Sequence, residues 1–338
     1  MLTAALRLAL LAALAVASLP ASAADTVGVR TITVASPDRD QPLAVTLWYP
    51  AGAGGTPERV GENPVFEGLP ARRDAAIADG RFPVVLLAHG GLRAAPNQIG
   101  WIAADLASRG MFVAVVPPPR PASAEAAVAE IWLRPADLSA ALTALEADPD
   151  AAAHTAPGQA AVVGFFLGGT AALALAGARL DAASYARSCD PPTQSPDCAW
   201  FADTGVDLHA VDAAQVTRSG LDPRIGTVVA VDPELTSSLA PDSLSGITAK
   251  TVVFNLGAPG TVAPHLDAAS LQAALPGATY AALPDATPFS AMATCTPRGA
   301  EILTSEGEDD TICREDPAAR ESTHARLADM IAGALAPR

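Results

Sequence analysis

The sequence has a single lysine and only one long apolar run. Lys250 is the only lysine among 338 residues, and the formal net charge is −15. Nucleic acids and anionic membranes bind proteins through basic surfaces, so this composition argues against both as partners. The acidic residues are scattered along the chain, which is typical of a solvated surface. Because the apolar run lies at the very start, we predict no membrane span in the mature chain.

The first residues have the pattern of a secretory signal. Arg7 is followed by an apolar run from Leu8 to Leu19 and by the small-residue sequence Pro20-Ala-Ser-Ala23. A charged start, a short apolar core and small residues before the cleavage point are typical of such a signal. We therefore predict a signal peptide over residues 1–23 and an exported mature chain, either periplasmic or secreted. An uncleaved N-terminal anchor is the alternative. Residues 24–338 fit a single domain.

The chain has four cysteines, and their even number favours disulfides in an exported protein. Four cysteines allow three pairings. The local pairings Cys189–Cys198 and Cys295–Cys313 each close a short loop, and these are the two disulfides that we predict. A zinc site is the alternative, but no Cys-x-x-Cys or paired-histidine spacing supports it. We predict no metal ion and no cofactor.

Apolar strands alternate with amphipathic helices from residue 83 onward. Two β-rich segments, Val27–Val34 and Leu43–Tyr49, come first and predict an antiparallel pair, whereas residues 51–80 are rich in Gly and Pro and predict irregular structure. The later predicted strands are Pro83–Ala88, Phe112–Val116, Ala160–Val163, Thr227–Val231, Thr251–Leu256 and Ala278–Leu283. The predicted helices are Pro96–Arg109, Ala124–Leu145 with an interruption at Pro135, Gly168–Ala178, Asp267–Leu275 and Ala318–Leu335.

This alternation predicts an α/β fold, with a mainly parallel central sheet and helices on both faces. The segment of about residues 180–224 interrupts the alternation and contains Cys189, Cys198 and several prolines. We interpret it as a disulfide-bearing insertion that lies over the ends of the strands.

The most informative segment is residues 160–169, Ala-Ala-Val-Val-Gly-Phe-Phe-Leu-Gly-Gly. A short strand, a turn from Gly164 to Gly168 and a helix of small residues are the context of a nucleophile elbow. In that motif the middle residue is a serine, but here it is Phe166. A phenyl ring has no proton to transfer and no atom that can attack a carbonyl. An ordinary turn is the alternative interpretation of these glycines.

Further short motifs accompany this elbow in a specific order. They are Phe82-Pro-Val-Val-Leu-Leu-Ala-His-Gly90, Leu106–Val115, Arg134–Leu138, Asp222–Ile225 and Val228–Pro233, together with the Cys189/Cys198 insertion and the Cys295/Cys313 tail. With these motifs the chain resembles the dienelactone hydrolases that are related to the platelet-activating-factor acetylhydrolases, within the α/β-hydrolase superfamily. The resemblance covers nearly all of the mature chain. It implies an α/β-hydrolase fold and, as the activity of the relatives, the hydrolysis of carboxylic esters.

The resemblance also implies where a catalytic triad would lie. The serine position falls on Phe166 and the acid position on Asp232. The histidine position falls on Pro288, or on Thr287 if the alignment shifts by one residue. The acid position of other dienelactone hydrolases falls near Gly260, which has no side chain to serve. The triad is therefore degenerate, because only Asp232 retains the chemistry of its position.

The oxyanion hole depends less on side chains. Its donors are backbone N–H groups, which persist when neighbouring side chains change. The resemblance implies that these donors are Gly91 and Leu167, the residue directly after the nucleophile position. His89 belongs to the His-Gly step of the same loop, and we interpret it as a structural residue.

Displaced residues are the alternative source of catalysis. The candidate bases are His209 in the insertion and His265 after the strand that ends at Leu256, and the candidate nucleophiles are Thr170 and Ser290. We expect His154 at the opposite end of the sheet and His324 on the closing helix.

Loss of the nucleophile or the base of a serine triad lowers the rate about 10⁴- to 10⁶-fold. The sequence therefore favours a catalytically inactive protein that binds a small apolar ligand, an ester or a protein partner of unknown identity. A serine-esterase-like hydrolase with displaced catalytic residues is the alternative.

Overall fold

A computed structural model describes residues 26–88, 90–93, 98–193, 195–275 and 277–337. The predicted signal peptide and His89 lie outside the described residues, so both remain predictions. None of the helices within those ranges is both long and apolar enough to cross a membrane.

The described residues form one sheet of ten strands. The strands are β1 (Val27–Val34), β2 (Leu43–Pro50), β3 (Thr56–Val60), β4 (Leu69–Arg73), β5 (Val84–Ala88), β6 (Phe112–Val116), β7 (Ala160–Phe165), β8 (Ile225–Val231), β9 (Lys250–Leu256) and β10 (Thr279–Leu283). Their order is β10-β9-β8-β7-β5-β6-β2-β1-β4-β3. The six strands from β10 to β6 pair in parallel, whereas β2 pairs antiparallel with both β6 and β1.

Twelve helices occur in the described part of the chain. They are α1 (Gly100–Ser108), α2 (Ala124–Ala127), α3 (Glu130–Ala147), α4 (Pro149–His154), α5 (Leu167–Leu175), α6 (Ala182–Ala186), α7 (Pro196–Thr204), α8 (Ala213–Val216), α9 (Pro241–Leu244), α10 (Leu271–Ala274), α11 (Gly299–Glu306) and α12 (Pro317–Leu335). Short 3₁₀ segments lie at Leu208–Ala210, Thr236–Ser238, Pro288–Ala291 and Asp310–Cys313.

Helices cover both faces of the sheet, as the continuous apolar strands predicted. On β5, Leu86 and Ala88 belong to one buried cluster, to which α3 and α5 contribute. Val85 and Leu87 point the other way, into a cluster that includes residues of α1 and α12. Successive side chains of a strand alternate between faces, so a strand that is apolar throughout must be buried on both. The mainly parallel α/β architecture is therefore confirmed.

Two local predictions were wrong. Residues 51–80 are not irregular, because β3 and β4 pair antiparallel there and β4 extends the sheet beside β1. Pro57 lies in β3, at the edge of the sheet, where a missing backbone N–H costs little. The helical break expected at Pro135 occurs earlier, between α2 and α3, and Pro135 lies inside α3.

Two helix predictions begin four residues too early, and one helix near the C-terminal cysteine pair was not predicted. The helix expected over residues 267–275 is confined to Leu271–Ala274, and the one expected from residue 96 begins at Gly100. The sequence did not predict α11, Gly299–Glu306, which lies between the two cysteines of the C-terminal pair. The short α10 follows a segment of turns and bends that competes with helix formation.

Both predicted disulfides are confirmed. Cys189–Cys198 joins positions whose Cα atoms are 5.2 Å apart, and Cys295–Cys313 joins positions 5.6 Å apart. The first pair ties α7 to the segment that follows α6, within the insertion. The insertion consists of α6, α7, α8 and one 3₁₀ segment.

Candidate functional site

The elbow between β7 and α5 has the strand–turn–helix geometry that the sequence predicted. Phe166 occupies the turn with φ 54° and ψ −124°, a conformation in which a bulky side chain is strained. Its N–H donates to the carbonyl of Val231 on β8 at 2.9 Å, and its carbonyl accepts from Gly169 at 2.8 Å. A Cβ atom on Gly164 would overlap the carbonyl of Gly168, so the crossing of strand and helix requires glycine.

The Phe166 ring fills the space around the elbow. The residue is only 6% exposed and belongs to the buried cluster on the α1/α12 side of the sheet. A Cβ atom built on Gly90 would lie 2.9 Å from Cδ2 of this ring, so the ring sits directly against the loop that follows β5. An acyl group could not occupy the same volume without displacing the ring.

Asp232 lies at the C-terminal end of β8, next to the elbow, and is fully buried. Its Oδ1 accepts hydrogen bonds from Asn255 Nδ2 at 2.8 Å and from the backbone N–H of Leu256 at 2.9 Å. Its Oδ2 is buried and has no hydrogen-bond partner among the described residues. Burial raises the pKa of Asp232 to about 7, although both hydrogen bonds favour the ionised form.

The predicted histidine position lies in a turn that holds no imidazole. Thr287 is exposed and caps the 3₁₀ segment Pro288–Ala291, whereas Pro288 is half-buried. Ser290 of this segment is fully buried and donates to Glu315 Oε1 at 2.8 Å. Among the described histidines, none hydrogen-bonds to Asp232.

The loop predicted to supply an oxyanion donor is held by a buried arginine. Arg134 of α3 donates Nη2 to the Gly91 carbonyl at 3.1 Å and Nη1 to the Gly90 carbonyl. Its Nε lies 3.3 Å from Glu130 Oε2, and Glu130 also pairs with Arg39 at 2.8 Å. This network orients the peptides of the loop. The sequence contained the segment Arg134–Leu138, but nothing in its pattern indicated this role.

Leu167 begins α5, so its N–H has no acceptor within the helix. The side chain of Leu167 lines a cavity of about 860 Å³ that lies between the start of α5 and the insertion, which we call the insertion cavity. Leu92, Tyr185, Phe201 and His265 also line it. The insertion therefore lies over the strand ends, as predicted. Among the three predicted triad positions, none contributes to the lining of this cavity.

Two acidic residues on the cavity wall were not among the predicted site residues. Asp197 comes from α7, and its carboxylate accepts a hydrogen bond from the Leu92 backbone N–H. Glu234 follows β8. Burial raises the pKa of Glu234 to about 8, and the nearby Asp197 carboxylate contributes to this rise. Burial also raises the pKa of Asp197. Residues 197 and 234 are far apart in the sequence, and no motif links them.

The candidate displaced bases occupy different environments. His265 lines the insertion cavity, its Nδ1 is buried without a partner among the described residues, and burial lowers its pKa. His209 is exposed and bonds through Nε2 to Asp190 at 2.9 Å, which raises its pKa. His209 is not among the lining residues of the cavity.

The other two described histidines form their ring hydrogen bonds with residues outside the elbow. His154 lies at the end of α4, and its carbonyl accepts from Phe82 just before β5, at the opposite end of the sheet as expected. His324 of α12 is buried and stacks on Trp101 at a ring separation of 3.9 Å. Burial lowers the pKa of His324 to about 4, so the neutral ring donates from Nε2 to the Met292 carbonyl.

The candidate displaced nucleophiles are already engaged. Thr170 donates its hydroxyl to the Glu234 carbonyl, and Ser290 donates to Glu315. Within the described ranges, the histidine rings accept no hydrogen bond from a serine or threonine hydroxyl. The same ranges contain no group of three or more histidine, cysteine, aspartate or glutamate side chains that could hold a metal ion.

Comparison with solved structures agrees with this architecture. The chain is similar to a ferulic acid esterase from Streptomyces cinnamoneus, with a TM-score of 0.53 and 16% identity over 92% of this chain and 90% of that one. It is also similar to a dienelactone hydrolase from Anabaena variabilis, with a TM-score of 0.46 and 14% identity over 90% and 97%. The chain matches no protein-family model and no curated relative. The sheet order, the elbow and the first of these similarities show that the chain has an α/β-hydrolase fold.

Proposed function

We propose that this protein has no esterase activity and binds a small molecule in the insertion cavity. The observation that carries the first part is Phe166 at the elbow, with its ring against the loop at Gly90. A serine hydrolase needs a hydroxyl there and a base beside it. Phe166 supplies no hydroxyl, and the acid position, Asp232, has one oxygen without a partner among the described residues.

The cavity supports the second part of the proposal. A volume of about 860 Å³ lies within the range of small-molecule sites, about 300–1,000 Å³. Its lining combines apolar side chains such as Leu92 and Phe201 with a few polar groups, as is usual for such sites. The Cys189–Cys198 disulfide is part of the lining and cross-links the insertion on this side of the cavity. The export of the mature chain, periplasmic or secreted, belongs to the same proposal.

Two assays test for the absence of esterase activity. A fluorophosphonate probe, which labels activated serines, should leave the folded protein unmodified. In parallel, hydrolysis of p-nitrophenyl acetate should stay at background for the wild-type chain and for Phe166→Ser, because that serine would lack a base. Stoichiometric labelling of any serine in the wild-type chain would instead support the displaced-residue hydrolase, with His265 as the first base to examine.

Restoring both missing groups gives a sharper test. Phe166→Ser combined with Pro288→His should exceed either single variant by a non-additive factor of about tenfold or more, because triad residues act as a unit. The ring of Pro288 fixes the backbone φ angle at this position, and the histidine position falls on Thr287 if the alignment shifts by one residue. The combination Phe166→Ser/Thr287→His is therefore tested in parallel. Adding Asp232→Asn to the more active combination should remove the gain. If Phe166→Ser alone is fully active, the proposed absence of a base is wrong.

A further inference from the structure

The insertion cavity has two acidic groups on its wall that come from separate elements. Asp197 lies near the start of α7, within the insertion, and Glu234 follows β8 at the C-terminal edge of the sheet. Both side chains are half-buried, and they are close enough that the charge of Asp197 acts on Glu234. Two half-buried carboxyl groups on the wall of one cavity attract a positive charge more strongly than an exposed pair would, because the surrounding protein screens charge less than water does.

Arg134 is a buried cation whose charge acts on both carboxyls, and its guanidinium hydrogen-bonds to backbone carbonyls. Arg134 influences the pKa of both acidic groups, but it is not part of the cavity lining. Its nitrogens donate to the Gly90 and Gly91 carbonyls and to Glu130. The guanidinium therefore fixes the loop and leaves the acidic groups as the charged surface at this end of the cavity.

The two other nearby arginines lie toward the outside. Arg93 is exposed, donates to the Pro196 carbonyl and stacks over the Trp200 ring at 5.1 Å. Its charge counteracts the rise that burial causes in the pKa of Asp197, but it is not part of the cavity lining. Arg187 does line the cavity, but its side chain is exposed, and its charge acts on the exposed Asp181 and His209. This places Arg187 at the rim, on the solvent side.

The apolar residues of the cavity wall indicate the chemistry of the uncharged part of the ligand. Leu92, Leu167, Phe201 and Leu208 are buried apolar residues that line the same space. A ligand that fills it would bury hydrocarbon against these side chains, and hydrocarbon burial is favourable in proportion to the apolar area removed from water. A hydrated inorganic cation would leave that apolar surface in contact with water.

We propose that the insertion cavity binds a small organic cation, an amine whose ammonium group lies between the carboxylates of Asp197 and Glu234. Its apolar body would lie along Leu92, Leu167 and Phe201. This inference rests on the proposed function, because it names the ligand class for the same cavity.

The protonation of the empty site supports this assignment. Burial and the charges of Asp197 and Asp232 raise the pKa of Glu234, whereas Arg134 lowers it, and the balance places it at about 8. Near neutral pH, Glu234 therefore holds a proton in the empty cavity. An ammonium ion would take the place of that proton, so binding should release a proton and should strengthen between about pH 6 and pH 8.

The test uses three probes of one shape, 4-phenylbutylamine, 4-phenylbutanol and 4-phenylbutyrate, with isothermal titration calorimetry on the full mature chain. The amine should bind at least about tenfold more tightly than the alcohol, and the carboxylate should bind most weakly. In buffers of different ionisation enthalpy, amine binding should release close to one proton. Glu234→Gln should weaken amine binding by about tenfold or more and leave alcohol binding within about twofold.

Control variants separate a specific effect from a general loss of acidity. Glu306→Gln removes an exposed glutamate in α11 and should leave amine binding unchanged. Asp197→Asn provides a second variant, in the part of the lining that the insertion contributes, and should weaken amine binding in the same direction as Glu234→Gln. Thermal melting confirms that each variant is folded.

Three outcomes would overturn the assignment. If amine, alcohol and carboxylate bind equally, or if Glu234→Gln and Asp197→Asn leave amine binding unchanged, the cation assignment fails while small-molecule binding stands. If none of the probes binds the folded wild-type chain, both the cation assignment and the proposed binding role of the cavity fail. The absence of esterase activity is tested separately.

Discussion

Replacing Asp232 by asparagine should make the protein more stable in mild alkali, although it removes the carboxyl group at the predicted acid position. The carboxyl is fully buried, and burial raises its pKa to about 7. In the unfolded chain the same group ionises near pH 4. Between these two values the folded state binds the additional proton, so stability falls as the pH rises through this window. Below it, both states are protonated and the group has no effect.

The magnitude follows from the size of the shift. One pKa unit corresponds to about 1.4 kcal/mol, so the full cost of ionising Asp232 is about 4 kcal/mol, of which about 2.5 kcal/mol accumulates between about pH 5 and pH 8. The asparagine side chain would keep an oxygen for the donors Asn255 and Leu256 and would not ionise. The advantage of Asp232→Asn over the wild-type chain should therefore grow by about 2.5 kcal/mol across that range.

Urea unfolding of both chains at several pH values measures this difference. Glu234 also titrates, and because the Asp232 charge contributes to the rise of its pKa, Asp232→Asn changes the Glu234 contribution in the same direction, toward greater stability of the variant at high pH. Asp203→Asn, at an exposed position in α7, serves as the matched control and should show no pH-dependent difference. The reasoning is refuted if Asp232→Asn differs from the wild type by a constant amount at every pH. A loss of stability at pH 8 would show that the folded chain stabilises the ionised carboxylate.

Three further outcomes are expected from urea unfolding at neutral pH. Gly164→Ala should destabilise the chain by at least about 2 kcal/mol, because the added methyl overlaps the backbone of α5; a neutral result would mean that the elbow can open. The double change Cys189→Ser/Cys198→Ser should cost about 2.5 kcal/mol by loss of a short cross-link, and an unchanged midpoint would contradict this. Arg134→Met should cost about 3 kcal/mol, because a buried carboxylate loses one partner, whereas Arg298→Met on the surface should have little effect. Equal effects of the two arginine variants would argue against the role of the buried network.

The parts of the fold that could be predicted from the sequence are those buried on both sides. The strands β5, β6, β8 and β9 are continuous apolar runs, and their positions follow from composition alone. By contrast, β3 and β4 are the last two strands at one side of the sheet, carry Pro57 and Pro70, and are only five residues long each. Such short strands form because they pair with a neighbouring strand, and the local sequence does not indicate that pairing.

The candidate site likewise has parts that the local sequence indicates and parts that it does not. The elbow and Asp232 were predictable because glycine spacing and strand ends are local features. Asp197 and Glu234 were not, because their proximity depends on how the insertion folds back over the sheet. Arg134 belongs to the motif Arg134–Leu138, but its contacts with Gly90 and Gly91 join residues more than forty positions apart. The motif alone therefore did not indicate these contacts.

The backbone at position 166 is strained although its side chain has no nucleophilic atom. The turn is imposed by the close crossing of β7 and α5 and by the hydrogen bond to Val231, neither of which involves the phenyl ring. The conformational penalty at this position therefore comes from the backbone of the turn and not from the chemistry of the phenyl ring. Position 166 can therefore be changed without removing the interactions that form the turn, and the fold places the new side chain at the same point above the sheet. That property makes it a favourable starting point for introducing a chosen reactive group by design.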